Sequence, residues 1–183
     1  MSGFVFRKAI VTNKLKHEAT TKLNIESVTM AIAAFVSICG RLPYPAHDAS
    51  GLESEDPSPG YVPYKALGIS EQTAKDGYSR PLIYIPEKKL IFSDDQGVYC
   101  RNELDTNCFC RSINMPVIEI SGDVYGTIVA FAIDTLDHKN IINEDHIVIN
   151  PSRHTFWISR DMLLMQYLKN APCAYIKPHT KSQ

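Results

Sequence analysis

The chain has no cluster of basic residues. Its 183 residues include 19 Lys and Arg against 20 Asp and Glu, which gives a formal net charge of −1. Electrostatic capture of nucleic acid needs a clustered basic face, and no Lys/Arg-rich block occurs in the sequence. We therefore expect no nucleic acid among the partners. A hydrophobic fraction of 44% with so little net charge does not fit a disordered chain, and the length suits a single domain over residues 1–183.

Long apolar runs are missing from the N-terminus. A membrane-spanning helix takes about 20 predominantly apolar residues, whereas residues 1–11 are apolar only in fragments. Arg7 and Lys8 follow the first fragment, and no run of about 7–15 apolar residues comes after them, as a signal peptide would require. The sequence therefore predicts no membrane helix, no signal peptide and no membrane contact by the chain as given.

Cysteine is scarce and odd in number: Cys39, Cys100, Cys108, Cys110 and Cys173. Five are too few for a disulfide-dense miniprotein, and at least one must stay unpaired within the monomer. Because three of them bracket the polar segment 101–107, a disulfide from Cys100 to Cys108 or Cys110 would close a loop there. Separate thiols in a reducing compartment fit the spacing equally well, and a zinc site lacks a local fourth ligand.

Catalytic signatures are absent as well. The sequence has no glycine-rich phosphate loop, no G-x-S-x-G elbow, no H-E-x-x-H and no C-x-x-C. His138, His146 and His154 are eight residues apart, which suits neither the i,i+4 ligand spacing of a helix nor the i,i+2 ligand spacing of one strand face. We therefore expect no enzyme and no cofactor.

Acidic side chains are concentrated between residues 134 and 145. Asp134, Asp137 and Asp145 supply the oxygen ligands that Ca²⁺ prefers, although their spacing matches no EF-hand. A solvated turn between two strands is the interpretation we favour, and a calcium site is the alternative.

One long helical pattern stands at the N-terminus. Residues 14–39 contain no Pro or Gly, and apolar residues recur there every three or four positions. This pattern predicts a helix over 14–39 with its second half buried. Gly40 occupies the position of a C-terminal cap, and Pro43 and Pro45 prevent continuation.

The remainder divides into three segments. Residues 41–80 are rich in proline and are predicted to wrap around the body, with Tyr44, Tyr61 and Tyr64 as candidate partner contacts. Residues 81–158 alternate short β-type runs with turns, which favours antiparallel hairpins. Ser159 can cap a short helix over 159–170.

The apolar run at 127–133 predicts a central strand covered on both faces. The predicted strands are 82–85, 90–92, 98–100, 117–120, 127–133, 146–149 and 155–158. The sequence thus predicts an α+β fold in which a long N-terminal helix packs on an antiparallel β-sheet and a short helix follows at the C-terminus.

Three motifs resemble type IV pilin-like and type II secretion pseudopilin-like proteins. They read G-R-L-P-Y-P-A at 40–46, G-Y-V-P-Y-K-A-L-G-I at 60–69 and D-G-Y-S-R-P-L-I-Y at 76–84. That family commonly has G-R-L-P-x-P, G-x-x-P-x-x-x-L-G and D-x-W-G-x-x-x-x-Y. Residues 145–149 are similar to the acidic strand entry of such proteins, and W-I-S-R at 157–160 is similar to their W-x-S-R ending. Tyr78-Ser79 stands in place of Trp-Gly, and the family's hydrophobic N-terminal segment is absent, as expected if the sequence starts partway along the helix.

The resemblance implies a non-enzymatic structural subunit, a minor pilin or pseudopilin of a bacterial pilus or type II secretion filament. Its partners would be other pilin or pseudopilin subunits, contacted through segments 41–63 and 100–112. Its domain would lie in the periplasm, anchored in the inner membrane by the first part of the helix of the full-length protein. Some relatives hold Ca²⁺ where Asp134, Asp137 and Asp145 stand here. The alternative is a small cytosolic α+β enzyme or ligand-binding domain that uses Cys and His side chains.

Overall fold

The computed structural model describes residues 3–39, 41–91, 118–121, 129–135, 147–149 and 155–167, with the side chains of the first helix from Val11 onward. The elements in these ranges are α1 (Gly3–Cys39), β1 (Gly60–Tyr61), β2 (Leu82–Pro86), a 3₁₀ turn (Lys88–Leu90), β3 (Ile118–Ile120), β4 (Val129–Thr135), β5 (Ile147–Ile149), β6 (Phe156–Ser159) and α2 (Arg160–Tyr167). The fold combines a four-stranded antiparallel sheet with a long N-terminal helix and a short C-terminal helix. The predicted α+β class is therefore confirmed.

Helix α1 is 37 residues long and ends at Cys39, as predicted. It begins at Gly3 rather than at residue 14, because residues 4–13 contain neither proline nor glycine to interrupt it. One stripe of apolar residues packs into the core, each at most 6% exposed: Ile25, Val28, Ile32 and Val36. The predicted cap Gly40 lies outside the described residues.

The segment Val11–Cys39 is long and apolar enough to cross a membrane, by length and composition alone. We expected no helix of this chain to qualify. It does so because residues 22–39 carry only two charged residues, Lys22 and Glu26. The core helix of a soluble protein passes the same test, and 33% of the apolar window is buried inside this fold.

The main sheet has the strand order β1-β2-β4-β6, with every neighbouring pair antiparallel. All seven residues of β4 are buried, and β4 lies between β2 and β6. The predicted central strand is therefore confirmed, displaced by two residues from 127–133. Strand β1 lies within the segment predicted as an irregular wrap, where Gly60 pairs with Tyr84 of β2.

Two apolar clusters cover the sheet. The first joins both helices to it and includes Phe131 and Ile133 of β4. The second lies between the sheet and the β3–β5 pair and includes Val129 and Ala132 of the same strand. Because β4 contributes to both clusters, it must be apolar along most of its length, and this explains its continuous apolar run.

Two strand predictions are wrong. Strands β3 and β5 form a parallel pair, with Ile118 opposite Ile147, although we expected antiparallel hairpins throughout. The connection from β3 to β5 contains β4 and exceeds the dozen residues that a parallel pairing requires. Part of the predicted strand 90–92 belongs to the 3₁₀ turn Lys88–Leu90. The prediction failed because a short apolar run occurs in strands and in helices alike. The predicted strand 98–100 lies outside the described residues.

Helix α2 begins directly after β6. The amide of Met162 donates to Ser159 Oγ at 3.1 Å, so the predicted N-cap is confirmed. Asp161 lies in the first turn, where its charge is favourable, and Leu163 is fully buried in the first cluster. The end predicted near residue 170 lies outside the described residues.

Candidate functional site

The turn of the D-G-Y-S-R motif is organised by a buried carboxylate. Asp76 is 1% exposed, and its Oδ1 accepts hydrogen bonds from the amides of Tyr78 at 2.9 Å and Arg80 at 2.8 Å. Its Oδ2 accepts from Arg80 Nε at 2.7 Å. Ser79 adopts a left-handed φ of 64°, which the closed turn imposes. The motif thus builds a rigid turn that bonds most of its own backbone and leaves the amide and carbonyl of Gly77 to bind outside the turn.

This turn binds the side of α1. The Gly77 amide donates to Thr21 Oγ1 at 2.9 Å, and His17 Nδ1 donates to the Gly77 carbonyl. Asn24 Nδ2 donates to the carbonyl of Lys75 at 2.7 Å. A Cβ at Gly77 would overlap the backbone of His17, so only glycine allows this approach. Polar side chains of α1 therefore hold the helix on the body beside its apolar stripe.

The G-R-L-P motif holds the other end of α1. Arg41 forms a two-point ion pair with Glu53, with Nη1 to Oε1 at 2.7 Å and Nη2 to Oε2 at 3.1 Å. Burial lowers the pKa of Arg41, but the hydrogen bond and charge of Glu53 outweigh burial and leave the pKa raised. The guanidinium lies over the Phe35 ring at 5.0 Å and the Tyr44 ring at 5.5 Å. Arg41 thus joins the helix end to the proline-rich segment.

A buried hydroxyl lies close to this ion pair. Tyr84 is fully buried, and its hydroxyl has no hydrogen-bond partner among the described residues. Burial and the negative charge of Glu53 raise its pKa well above the usual value. The ring packs edge-on against Phe131 at 5.9 Å. Tyr84 is therefore a core aromatic whose hydroxyl stays protonated.

The face of α1 opposite the core is exposed and largely apolar. We call it the outer stripe, and its members are spaced by three or four positions: Leu23, Ser27, Met30, Ala34 and Ile38. Leu23 is 61% exposed, Met30 57% and Ile38 83%. A helix of a monomeric domain usually turns polar residues outward. This helix instead has a second apolar face, which nothing in the described part of the chain covers.

The three tyrosines predicted as partner contacts separate into two places. Tyr44 lies at the Arg41 ion pair, whereas Tyr61 and Tyr64 line one surface groove of about 360 Å³. Tyr44 and Tyr64 also pack against the first cluster. Contact of any of them with a partner stays a prediction.

The predicted disulfide lies wholly outside the described residues, and only one residue of the predicted calcium site, Asp134, lies within them. Cys100, Cys108 and Cys110 lie outside the described residues, as do Asp137 and Asp145. Among the described positions Cys39 is free and exposed, and no group of three or more His, Cys, Asp or Glu could hold a metal ion there. Asp134 is buried in β4, where its Oδ2 accepts from Thr155 Oγ1 at 3.1 Å.

Sequence reasoning did not single out the polar residues that dock α1: His17, Thr21 and Asn24. Their spacing of four and three places them on one helix face, and this would have been a usable signal. The chain matches no protein-family model, no curated protein and no solved structure.

Proposed function

We propose that this chain is a structural subunit of the type IV pilin-like or type II secretion pseudopilin-like class. It acts by assembling with other such subunits and carries out no reaction of its own. The observation that carries the proposal is the pair of apolar faces on α1. One face, around Ile32, is buried on the sheet, and the other, around Met30, is exposed.

The outer stripe supports assembly on energetic grounds. A partner that covers exposed apolar surface removes it from water, and this burial lowers the free energy of the complex by roughly 25 cal/mol per Å². Contiguous apolar patches of this kind usually mark interaction sites. Small residues between the large ones, Ser27 and Ala34, allow a neighbouring helix to approach closely. A helix is therefore the partner element that fits this surface best.

The motifs behind the resemblance also support the proposal. Arg41 of G-R-L-P-Y-P pairs with Glu53, and Gly77 of D-G-Y-S-R contacts α1 directly. Both motifs thus hold a long helix against the sheet while its far side stays exposed. That is what an assembly subunit needs, because helix and body must move as one unit.

We place the subunit in a bacterial cell envelope. The domain would lie in the periplasm, with α1 continuing into an inner-membrane anchor in the full-length protein. The resemblance and the length of α1, an uninterrupted helix of 37 residues, support this location.

Self-association of the full chain tests the proposal. Sedimentation velocity over a range of concentrations would compare the native chain with Met30→Lys, which puts a charge in the outer stripe. Leu52→Lys is the matched control, because Leu52 is 56% exposed, like Met30 at 57%, and lies in the proline-rich segment. We expect the native chain and Leu52→Lys to associate alike, and Met30→Lys to raise the dissociation constant at least tenfold. Equal association of all three chains, or none by the native chain, would contradict the proposal.

A further inference from the structure

The groove containing Tyr61 and Tyr64 has the size of a ligand site. We call it the Tyr61 groove; it lies between residues 47–49, residues 61–64 and the turn at 71–75. Its volume of about 360 Å³ falls in the range of small-molecule sites. It is separate from the outer stripe of α1, so assembly alone does not account for it.

The walls of the groove are fixed before any ligand binds. Tyr64 donates from its hydroxyl to the Ala49 carbonyl at 3.1 Å, and its ring lies against Gly51, where a Cβ would overlap it. Gly51 has a φ of +70°, which favours glycine. Tyr61 pairs through its backbone with Ala46, at 2.7 Å and 2.9 Å. A preformed groove saves a ligand the entropic cost of ordering its site.

The Tyr61 groove offers an aromatic surface together with polar groups of both kinds. The Tyr61 hydroxyl makes no hydrogen bond within the described part of the chain, and so it can bond a ligand. Asp48 supplies a carboxylate at the rim, and its bonds to Ser50 lower its pKa, so it stays ionised. Lys75 Nζ donates to Glu71 Oε1 at 2.6 Å and has further N–H groups to offer.

The charges at the rim of the groove disfavour an anionic ligand. Glu71 is paired with Lys75, and His47 Nε2 lies 3.6 Å from Asp56 Oδ2. An anionic ligand would meet the carboxylate of Asp48, which has no such close pair. A purely apolar ligand is also disfavoured. It would remove water from the polar rim and offer no hydrogen bonds in place of those that the rim makes to water.

We propose that the Tyr61 groove binds a neutral saccharide. The C–H face of a sugar ring would lie on Tyr61 and Tyr64, because an aromatic face accepts such apolar surface. Sugar hydroxyls donate to carboxylates and accept from ammonium groups, which matches Asp48 and Lys75. The inference is independent of the assembly proposal and uses different residues.

Titration of the isotope-labelled full chain with three neutral disaccharides, maltose, cellobiose and N,N′-diacetylchitobiose, tests this inference by NMR. We expect saturable shifts at Tyr61 and Tyr64 with at least one of them. Tyr61→Ala should weaken that binding about tenfold, since it removes a stacking surface. Asp48→Asn, at an exposed position that does not threaten folding, should weaken binding severalfold. Tyr78→Ala is the control, because Tyr78 is an exposed tyrosine (48%) outside the groove.

Several results would overturn the saccharide assignment. These are the absence of saturable shifts with all three sugars, shifts confined to other surfaces, or equal weakening by Tyr61→Ala and Tyr78→Ala. Glucuronic acid binding as tightly as the neutral sugars would contradict the charge argument. Met30→Lys should bind sugar normally, so failure of this inference and failure of assembly can be told apart.

Discussion

The amide of Gly77 donates to the hydroxyl of Thr21 at 2.9 Å, across 56 positions of sequence. The same hydroxyl donates to the His17 carbonyl at 2.9 Å, so both of its roles are filled although Thr21 is only 4% exposed. A buried polar group that is fully bonded costs little and fixes geometry. This bond therefore sets where α1 sits on the body and which of its faces remains exposed.

Replacing Gly77 by Ala should destabilise the domain by about 2–3 kcal/mol, because the new methyl group overlaps the backbone of His17 and must displace the helix. Gly68→Ala is the control. Gly68 has a φ of +67° with open space around it, so only backbone strain of about 1 kcal/mol applies. Urea denaturation of the three chains measures both effects. Equal losses would show that the close approach of Gly77 to α1 does not matter.

Removing the Glu53 carboxylate with Glu53→Ala should cost about 2 kcal/mol. The change leaves Arg41 without its two-point partner and the Tyr44 amide without its acceptor at 2.7 Å. Glu26→Ala breaks a looser pair with Lys22 at 4.0 Å and should stay within about 0.5 kcal/mol of the native chain. Thermal or chemical denaturation that ranks the two variants in the opposite order would refute the role assigned to Arg41.

The Tyr84 hydroxyl gives a pH-dependent prediction. Because burial and Glu53 raise its pKa in the folded state, the phenol deprotonates first in the unfolded chain as pH rises above about 10. The folded state then binds more protons than the unfolded state, so stability falls with rising pH. The slope that Tyr84 adds is up to about 1.4 kcal/mol per pH unit.

Tyr84→Phe should remove this extra alkaline loss. At neutral pH the variant should be at least as stable as the native chain, since no hydrogen bond among the described residues is broken. Urea denaturation at neutral pH and at two values above about pH 10 gives the comparison. Parallel pH profiles for the two chains would show that Tyr84 ionises as readily in the folded state as in the unfolded one.

Local signals in the sequence predicted much of the fold. The helix ending at Cys39, the central strand and the Ser159 cap each depend on neighbouring residues, namely an uninterrupted apolar period, a continuous apolar run and a capping side chain. The parallel β3–β5 pair was not predicted, because it depends on which distant segments meet across the sheet. A three-residue pattern such as Ile118–Ile120 fits either pairing direction equally well.

The sites were harder to predict for the same reason. Tyr61 and Tyr64 were found as aromatic residues in a proline-rich segment, but their shared groove depends on the turn at 71–75. His17, Thr21 and Asn24 resemble ordinary surface residues of a helix until Gly77 approaches them. Asp76 bonds to amides only two and four residues further along the chain. Because these partners are local, its role could be predicted from the sequence more easily than the roles of the other residues.

We propose that the outer stripe of α1 contacts another subunit. The most direct measurement places a photo-crosslinking amino acid at Met30 in the full chain and identifies the products by mass spectrometry, with the same label at Leu52 as the matched position. We expect crosslinks from position 30 to α1 of another subunit and few or none from position 52. Equal crosslinking from both positions, or products from position 30 within the same chain only, would contradict it.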